Sequence, residues 1–332
     1  MNNKLRQELK KVDFLRDNYI FWRSFKEVMN EKPKLITIYA TNRCNSACNN
    51  CFIWKQQPKI DLDIEVLKKL LTDKLITRDT SFVLQGGEFI LHPNYKEILQ
   101  LFKNKKVTLL SNGILAEQII DVCKQYDIKF LALSLDGRPE TNLKIRGKDA
   151  FSSIEKIIRS LKNTHVGIAV TYTICSLNNN LDDFLFVKNF CNKNNVNFNV
   201  VTYGDPFYFE CEKKYFKIDS GIINNVGDKF LKKYLELYNR EPENRVKRCF
   251  SIKRQTTIWP NGDITLCQQK NIVLGNIYKE SLSKIWNKEQ AKELRKKFSY
   301  CNECWLGCHR PFDVEMLDNP GILSKIFKKT LL

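Results

Sequence analysis

The chain has 332 residues, 43% of them hydrophobic, and a formal net charge of +18 from 55 basic and 37 acidic side chains. This composition supports about two folded domains and excludes general disorder. No apolar run approaches the roughly 18 residues of a membrane helix, and the N-terminus lacks a secretory signal, so we expect a cytoplasmic protein. In a reducing compartment, its 12 cysteines are more often metal ligands or catalytic groups than disulfides.

The first two thirds of the chain alternate between strand and helix patterns. Residues 4–30 place apolar side chains at helical intervals and predict an N-terminal helix or helix pair. The predicted strands that follow are Leu35–Ala40, Phe82–Gln85, Val107–Leu110, Phe130–Leu135, Val166–Ile174 and Asn197–Tyr203. The predicted helices lie near 63–74, 94–104, 115–126, 151–162 and 181–194. This alternation indicates parallel βαβ units, in an open barrel or a doubly wound sheet, with ligands at the carboxyl ends of the strands.

The alternation stops near Gly204. Residues 204–221 are predicted to be a loop and 222–239 a helix. Residues 249–311 form a cysteine-bearing module, in which the Pro260-Asn261-Gly262-Asp263 turn predicts a hairpin. The tail from Ile322 to Leu332 is basic and amphipathic; such a tail usually packs on its own domain, and peripheral contact with an anionic membrane is the alternative.

Three cysteines directly follow the first predicted strand, in the pattern Cys44-x-x-x-Cys48-x-x-Cys51. Three thiolates cannot by themselves complete a four-ligand structural zinc site. They can hold three irons of a [4Fe–4S] cluster and leave the fourth iron open to a small ligand. A zinc knuckle or buried free thiols are the alternatives.

The segment Thr41–Cys51 resembles the cluster loop of the radical S-adenosylmethionine (SAM) enzymes, and further motifs of that family follow in the expected order. Gln85-Gly86-Gly87-Glu88 is similar to the family's Gly-Gly-Glu motif, Ser111-Asn112-Gly113 to its Thr-Asn-Gly, and Ser134-Leu135-Asp136-Gly137 with Arg146-Gly147 to its Ser-x-Asp-Gly and Arg-Gly segments. The resemblance implies that the residues which bind SAM are Gly86, Gly87, Glu88, Ser111, Asn112, Ser134, Asp136 and Arg146.

Within this set, the resemblance gives specific roles to a few residues. It implies that Gly86 and Gly87 present backbone groups to the methionine amino group, that Ser134 contacts the ribose or the carboxylate, and that Arg146 holds the carboxylate. The family commonly has an aromatic residue immediately before the third cysteine, but this chain has Asn50 there. Backbone groups or Phe52 are therefore the candidates to pack against the adenine.

Five further cysteines lie in the C-terminal module: Cys249, Cys267, Cys301, Cys304 and Cys308. Together with Leu274-Gly275-Asn276-Ile277 and Ile285-Trp286-Asn287, they resemble the SPASM or twitch module of the same superfamily, which carries auxiliary [4Fe–4S] clusters. Five cysteines are too few for two clusters held entirely by cysteine, so one auxiliary cluster is expected. Its preferred ligands are Cys249, Cys267, Cys301 and Cys304, and Cys308 is able to replace one of them; a zinc site on these residues is the alternative.

The resemblance implies an α/β fold, a partial (β/α)6 TIM-like barrel with a small C-terminal iron–sulfur domain. The expected division is a helical extension over 1–33, a radical SAM core over 34–240, a SPASM or twitch domain over 241–315 and a basic amphipathic tail over 316–332.

An enzyme of this family cleaves SAM reductively to a 5′-deoxyadenosyl radical, which abstracts hydrogen from a substrate carbon. An auxiliary cluster close to the substrate favours oxidation, whereas a thiol that returns hydrogen from the opposite face favours epimerisation. Cys175 and Cys211 are the hydrogen-donor candidates, and Tyr203 and Asp205 are candidates to bind or deprotonate the substrate. Buried structural thiols and turn residues are the plainer interpretations of these four.

The motifs leave the substrate class open. The charge of +18 favours a small phosphorylated or sugar-like substrate and suits an acidic flavodoxin or ferredoxin as electron donor. Many relatives with this module instead modify ribosomally made peptides, some through a leader-binding domain for which residues 1–33 are too short. A non-catalytic zinc protein that binds nucleic acid is the alternative from another class, but the chain lacks the aromatic and basic signatures of RNA-binding sheets.

Overall fold

The computed structural model describes residues 32–204, 215–240, 249–306 and 313–314. The N-terminal helix expected over 4–30 and the tail over 322–332 lie outside the described residues, as do the candidates Asp205, Cys211 and Cys308. The six predicted strands and most of the C-terminal module fall within these ranges.

Nine strands form one sheet in the order β6-β5-β4-β3-β2-β1-β7-β8-β9. The first six pair in parallel with their neighbours in the chain. Because their order never reverses, the sheet is singly wound, and the partial barrel is confirmed over the doubly wound alternative. The strands are β1 (Leu35–Tyr39), β2 (Ser81–Gln85), β3 (Lys106–Ser111), β4 (Phe130–Ser134), β5 (Gly167–Ile174), β6 (Asn197–Thr202), β7 (Gln255–Ile258), β8 (Asp263–Thr265) and β9 (Val273–Asn276).

Connecting helices such as Phe151–Leu161 cover the sheet with an apolar face. In the helix Phe151–Leu161, the side chains of Ile154, Ile157, Ile158 and Leu161 recur at helical intervals and are all buried. The described α-helices are α1 (Ile64–Leu71), α2 (Tyr95–Leu101), α3 (Ala116–Gln125), α4 (Pro139–Arg146), α5 (Phe151–Leu161), α6 (Leu181–Asn194), α7 (Ser220–Asn225), α8 (Lys229–Arg240), α9 (Leu282–Asn287) and α10 (Glu289–Phe298).

The single helix predicted over 222–239 is wrong. The helix α7 ends at Asn225, Val226 is extended, and α8 begins at Lys229. Asp228 explains the restart, because its carboxylate accepts a hydrogen bond from the Leu231 N–H at 2.7 Å, as an N-cap does.

The C-terminal module continues the barrel sheet. The strand β7 pairs in parallel with β1 along its length. The predicted hairpin is confirmed, since β7 and β8 are antiparallel around a turn in which Gly262 has a φ of +82°, and β9 adds a third strand. At the ends of β1 and β7, Tyr39 stacks on Trp259 with ring centroids 4.4 Å apart.

Hydrogen bonds between distant segments fix this module against the barrel. After α1, the Asp73 carboxylate accepts a hydrogen bond from the Ser283 N–H at 2.8 Å. At the end of β6, the Thr202 hydroxyl donates to the Trp305 carbonyl at 2.6 Å, and the Tyr234 hydroxyl donates to the same oxygen at 2.5 Å. Among the helices of the described ranges, none has the length and apolar content needed to cross a membrane.

Candidate active site and second cysteine cavity

The carboxyl ends of β1 to β6 bring the predicted site residues to one edge of the sheet. The cysteine loop follows β1, and the Gly86-Gly87-Glu88 turn follows β2. Ser111 is the last residue of β3, and Asn112 follows it. Half-buried Ser134 ends β4, and Cys175 and Tyr203 follow β5 and β6. Parallel topology places such segments together, so this edge is the candidate active site.

The cysteine loop is anchored just before its first cysteine. The Thr41 hydroxyl donates to Asp61 Oδ1 at 2.6 Å. Arg43 Nε donates to both oxygens of the same carboxylate, at 3.1 and 3.0 Å. Asn42 Oδ1 accepts the N–H of Ile60 at 2.8 Å. The returning segment around Asp61 therefore holds the entry of the loop.

Gly86 and Gly87 lie against the backbone of this loop. A Cβ atom on Gly87 would lie 2.2 Å from the Arg43 carbonyl oxygen, and one on Gly86 would lie 2.5 Å from the Thr41 carbonyl oxygen. In this close approach, the Gly87 N–H donates to the Thr41 carbonyl at 2.8 Å and the Glu88 N–H donates to the Arg43 carbonyl at 2.7 Å. The sequence predicted that these glycines contact SAM. It did not indicate their contact with the backbone of the cysteine loop.

Glu88 is a buried carboxyl group, 1% exposed, between two strand ends. It accepts hydrogen bonds from the Ser111 hydroxyl at 3.0 Å and from the Asn112 N–H at 2.9 Å. Burial raises the pKa of Glu88 to about 7, although these hydrogen bonds oppose the rise. Asn112 Nδ2 in turn donates to Asn45 Oδ1 at 2.8 Å, which joins the end of β3 to the cysteine loop.

The C-terminal end of α4 holds the other side of the loop. Ser46 Oγ donates to the Arg146 carbonyl at 2.6 Å and lies 3.3 Å from Cys48 Sγ. Gly147 ends α4 with a φ of +70°, and a Cβ atom there would lie 2.9 Å from the Ala47 carbonyl oxygen. The end of α4 and the cysteine loop are therefore in backbone contact.

Arg146 forms a buried ion pair with Asp136. Arg146 Nη2 lies 2.6 Å from Asp136 Oδ2, and the two side chains are 13% and 0% exposed. Asp136 Oδ1 accepts the N–H of Thr173 at 2.8 Å. Burial works against the guanidinium charge, but Asp136 and the sulfurs of Cys48 and Cys51 raise the pKa of Arg146 above its ordinary value. One Asp136 oxygen pairs with Arg146 and the other accepts the Thr173 N–H, so the carboxylate holds the Arg146 guanidinium in place beside the cysteines.

Cys175 is a buried thiol, 5% exposed, next to this ion pair. Burial raises its pKa, and the Asp136 carboxylate adds to the rise whereas Arg146 opposes it. The thiol therefore keeps its proton near neutral pH. The other described candidate at this edge, Tyr203, is half-buried, and its N–H donates to the Ile174 carbonyl at 2.9 Å.

Aromatic side chains lie beside the last two cysteines of the loop. Trp54 Nε1 donates to the Cys48 carbonyl at 3.4 Å. Lys55 Nζ lies 4.6 Å from the ring centroid of Phe52 and 5.1 Å from that of Trp54. Phe52 is half-buried here, and its packing against an adenine stays a prediction.

Four cysteines of the C-terminal module line one cavity, and they are the preferred set Cys249, Cys267, Cys301 and Cys304. The Cys249 N–H donates to the Ser299 carbonyl at 2.9 Å, which brings the start of the module to the end of α10. Burial raises the pKa of Cys267 to about 11, and Cys304 adds to the rise.

The four thiols that line one cavity in the C-terminal module fit a cluster of several atoms, which cysteine thiolates hold. Burial raises the pKa of Cys44 to about 11, so a bound metal has to displace the proton of this thiol.

Sequence reasoning missed two buried asparagines that support the ion pair. Asn142 Oδ1 accepts the Asp136 N–H at 2.9 Å. Asn178 Nδ2 donates to the carbonyls of Asp136 and Thr173, each at 2.9 Å. Single asparagines in loops and short helices give no periodic signal, and Asn178 begins a run of three that is typical of a turn.

Two family models match the chain. The radical SAM superfamily matches residues 38–191, and the SPASM iron–sulfur cluster-binding domain matches residues 249–309. The second match overturns the zinc alternative for the C-terminal cysteines.

Curated relatives share about a quarter of the aligned residues. The antilisterial bacteriocin subtilosin biosynthesis protein AlbA of Bacillus subtilis is 25% identical over 275 residues, which cover 77% of this chain and 60% of AlbA. The Fe-coproporphyrin III synthase of Methanosarcina barkeri is 24% identical over 150 residues, 43% of this chain and 38% of that protein. The probable GTP 3′,8-cyclase of Methanocaldococcus jannaschii is 24% identical over 216 residues, 61% of this chain and 70% of that protein. The chain thus aligns with less than two thirds of AlbA.

Solved structures with the same fold include two peptide complexes. Streptococcus suis SuiB bound to the precursor peptide SuiA superimposes with a TM-score of 0.63 at 17% identity, covering 82% of this chain and 70% of SuiB. The native anSMEcpe structure with AdoMet and the Cp18Cys peptide superimposes with a TM-score of 0.57 at 19% identity, covering 87% of this chain and 97% of that chain.

Proposed function

We propose that this chain, which belongs to the radical SAM superfamily and carries a C-terminal SPASM iron–sulfur domain, modifies a peptide. The similarity to AlbA carries the proposal, because it extends over 77% of the chain, whereas the similarity to the Fe-coproporphyrin III synthase extends over 43%. SuiB and anSMEcpe, which share the fold, have been crystallised with peptides.

The protein binds S-adenosylmethionine and a [4Fe–4S] cluster, and the SPASM domain binds auxiliary iron–sulfur. We assign the first cluster to Cys44, Cys48 and Cys51 and one auxiliary cluster to Cys249, Cys267, Cys301 and Cys304. When bound, these groups supply a carbon-centred radical that removes hydrogen from a substrate carbon, and a store for one electron. An acidic flavodoxin or ferredoxin is the electron donor that the charge of +18 favours.

The chain's own residues hold and orient the nucleotide in this proposal. The Arg146 guanidinium, fixed by Asp136, binds the SAM carboxylate through a charge-assisted contact. Glu88 keeps the ends of β2 and β3 together, so that Gly86, Gly87, Ser111 and Asn112 stay in place. Ser134 contacts the ribose, and Phe52 packs against the adenine.

Cys175 decides the outcome of the reaction in this proposal. Its buried, protonated thiol next to the Asp136–Arg146 pair retains an S–H bond that can return a hydrogen atom to the substrate radical. The thiyl radical left on Cys175 is restored to the thiol by one electron from the flavodoxin or ferredoxin donor and one proton. The product is then an epimerised peptide residue. Tyr203 lies at the same strand edge and contacts the peptide. Cys211 and Asp205, the remaining candidates, belong to the segment between β6 and α7.

The test uses the holoenzyme with SAM, dithionite and peptides deuterated at their α and β carbons. Transfer of deuterium into 5′-deoxyadenosine supports the peptide proposal, and transfer only from sugars or nucleotides contradicts it. With unlabelled peptide in D2O, epimerisation replaces one hydrogen of the peptide with deuterium, and Cys175→Ala abolishes that gain; a product lighter by two hydrogens shows oxidation instead.

A small phosphorylated substrate is the second candidate. The similarity to the probable GTP 3′,8-cyclase favours it, because that match covers 61% of this chain and 70% of the relative. The net charge of +18 also suits an anion. GTP deuterated on its ribose, assayed in the same way, separates this candidate from the peptide.

A further inference from the structure

A smaller cavity lies against the cavity that the four cysteines of the C-terminal module line. Its volume is about 10 Å³, which is about the space that one water molecule needs. Ile252, Leu266 and Cys267 line both cavities, so the two cavities share a wall. A group bound in the smaller cavity therefore lies beside Cys267.

Two buried hydroxyl groups line this smaller cavity. They belong to Ser251, which is 1% exposed, and to Thr256, which is 2% exposed. Neither hydroxyl oxygen has a hydrogen-bond partner among the residues that the structure describes. A buried hydroxyl without a partner costs stability, so nearly all such groups in proteins are bonded to protein atoms or to ordered water. The two hydroxyls therefore point to a polar group bound in the cavity.

The backbone around the two hydroxyls is fixed by hydrogen bonds. Ser251 begins a 3₁₀ turn over Ser251–Lys253, and its carbonyl accepts the Arg254 N–H at 3.1 Å. Thr256 lies in β7 and is paired with Ile36 of β1. Because a hydroxyl hydrogen still rotates about its C–O bond, both groups can turn towards one shared partner.

Cys267 is fixed by the same hairpin that carries Thr256. The Cys267 carbonyl accepts a hydrogen bond from the Thr265 hydroxyl at 3.0 Å, and the oxygen of that hydroxyl accepts the Trp259 Nε1–H at 2.9 Å. Thr265 is the last residue of β8, which pairs with β7. The sheet therefore sets the position of Cys267 relative to Thr256.

Hydrogen bonds to the ligand sulfurs help to set the reduction potential of an iron–sulfur cluster. One electron from the flavodoxin or ferredoxin donor adds one negative charge to the cluster and its thiolates, and no proton moves in this step. A donor directed at a ligand sulfur stabilises that charge and so raises the potential. A water molecule can accept hydrogen bonds from two hydroxyls and donate one to a sulfur at the same time.

We propose that Ser251 and Thr256 hold one water molecule in the smaller cavity, and that this water donates a hydrogen bond to the Cys267 sulfur and raises the reduction potential of the auxiliary cluster. This role of the two hydroxyls rests on the proposed function, in which Cys267 is a ligand of that cluster. Ser251 and Thr256 are positioning residues, because they act on the cluster through the water and Cys267.

The test measures the midpoint potential of the auxiliary cluster in the full chain with both clusters loaded. A dithionite titration is followed by electron paramagnetic resonance, and the auxiliary signal is the one that added SAM leaves unchanged. The test variants are Ser251→Ala and Thr256→Val, and Thr256→Ser is the rescue variant because it keeps the hydroxyl. The matched control is Thr37→Val, which makes the same exchange at a buried position of β1 that lines neither cavity. Circular dichroism and iron content establish that every variant is folded and loaded.

We expect each test variant to shift the midpoint of the auxiliary cluster to a more negative potential, whereas Thr256→Ser and Thr37→Val should match the wild type. After exchange into D2O, the deuterium coupling of the reduced auxiliary cluster should be weaker in both test variants than in the wild type.

Three results would overturn this role of the hydroxyls. An unchanged midpoint in loaded Ser251→Ala and Thr256→Val would do so while leaving the assignment of the cluster intact. An equal shift in Thr256→Ser and Thr256→Val would show an effect of packing rather than of the hydroxyl. A wild type with only about four irons would overturn the auxiliary cluster itself, and the role of the hydroxyls with it.

Discussion

Gly87 and Arg43 are in backbone contact, because a Cβ atom on Gly87 would lie 2.2 Å from the Arg43 carbonyl oxygen. We expect Gly87→Ala to push the cysteine loop away from the end of β2 and to lower the free energy of unfolding by about 1–3 kcal/mol. Gly227→Ala is the control, because nothing lies within 4 Å of a Cβ atom there. Denaturant melts and iron retention after gel filtration check the prediction; equal behaviour of the two variants would contradict it.

Loss of the Asp136–Arg146 ion pair should lower both the stability of the protein and its affinity for SAM. Asp136→Asn removes one charge of a buried pair, which costs about 3 kcal/mol or more of unfolding free energy and frees the guanidinium to turn. SAM affinity, measured by calorimetry, should fall by about tenfold or more. Glu140→Gln breaks an exposed pair with Arg138 and should leave both quantities near the wild type. Unchanged SAM affinity in Asp136→Asn would remove the positioning role.

Iron analysis separates the two cysteine groups. A wild-type chain with both clusters contains about eight irons, and Cys267→Ala should retain about four because the first cluster is left intact. Cys191→Ala is the control, since this cysteine is buried in α6 and does not line the cavity. Retention of all the iron in Cys267→Ala would exclude this cysteine from the ligand set.

His92 predicts a pH dependence of stability. Its Nε2 lies 3.0 Å from the Leu62 carbonyl and its Nδ1 accepts the Asn94 N–H at 3.0 Å, so the ring is neutral with the proton on Nε2. Burial lowers the pKa of His92 from 6.5. The unfolded chain therefore takes up a proton near pH 6.5 that the folded chain does not, and unfolding free energy falls as pH decreases below 6.5.

Replacing this ring should flatten that dependence. His92→Gln keeps a donor and an acceptor but does not titrate, so its unfolding free energy should vary less between pH 7 and pH 5 than that of the wild type. His165→Gln, at an exposed position, should keep the wild-type slope. Identical slopes in all three proteins would assign the acid sensitivity to other groups.

The sequence predicted strands from continuous apolar runs and cluster ligands from grouped cysteines. The parallel strand β1 is buried from Ile36 to its end at Tyr39, and the apolar run Leu35–Ala40 predicts it directly. The resemblance of the C-terminal cysteines to a SPASM or twitch module predicted the set Cys249, Cys267, Cys301 and Cys304, and these four line one cavity. These signals were sufficient to place the candidate site at one edge of the sheet.

The parts that were missed depend on contacts between distant residues. The helix α4 begins at Pro139 and buries only Asn142 and Ile145, so its sequence contains no apolar stripe to indicate a helix. Asn142 and Asn178 are fixed by the Asp136 backbone, a partner that no local pattern identifies. Tertiary hydrogen bonds of this kind outweigh local propensity, as they commonly do in polar cores.

The pairing of β1 with both β2 and β7 has a consequence for dissecting the molecule. A version cut after α8 would expose one whole side of β1 as an unsatisfied ladder of amides and carbonyls. Open strand edges of this kind recruit other chains and promote aggregation. Biochemists who wish to study the barrel by itself will therefore need to supply a substitute for the missing neighbour.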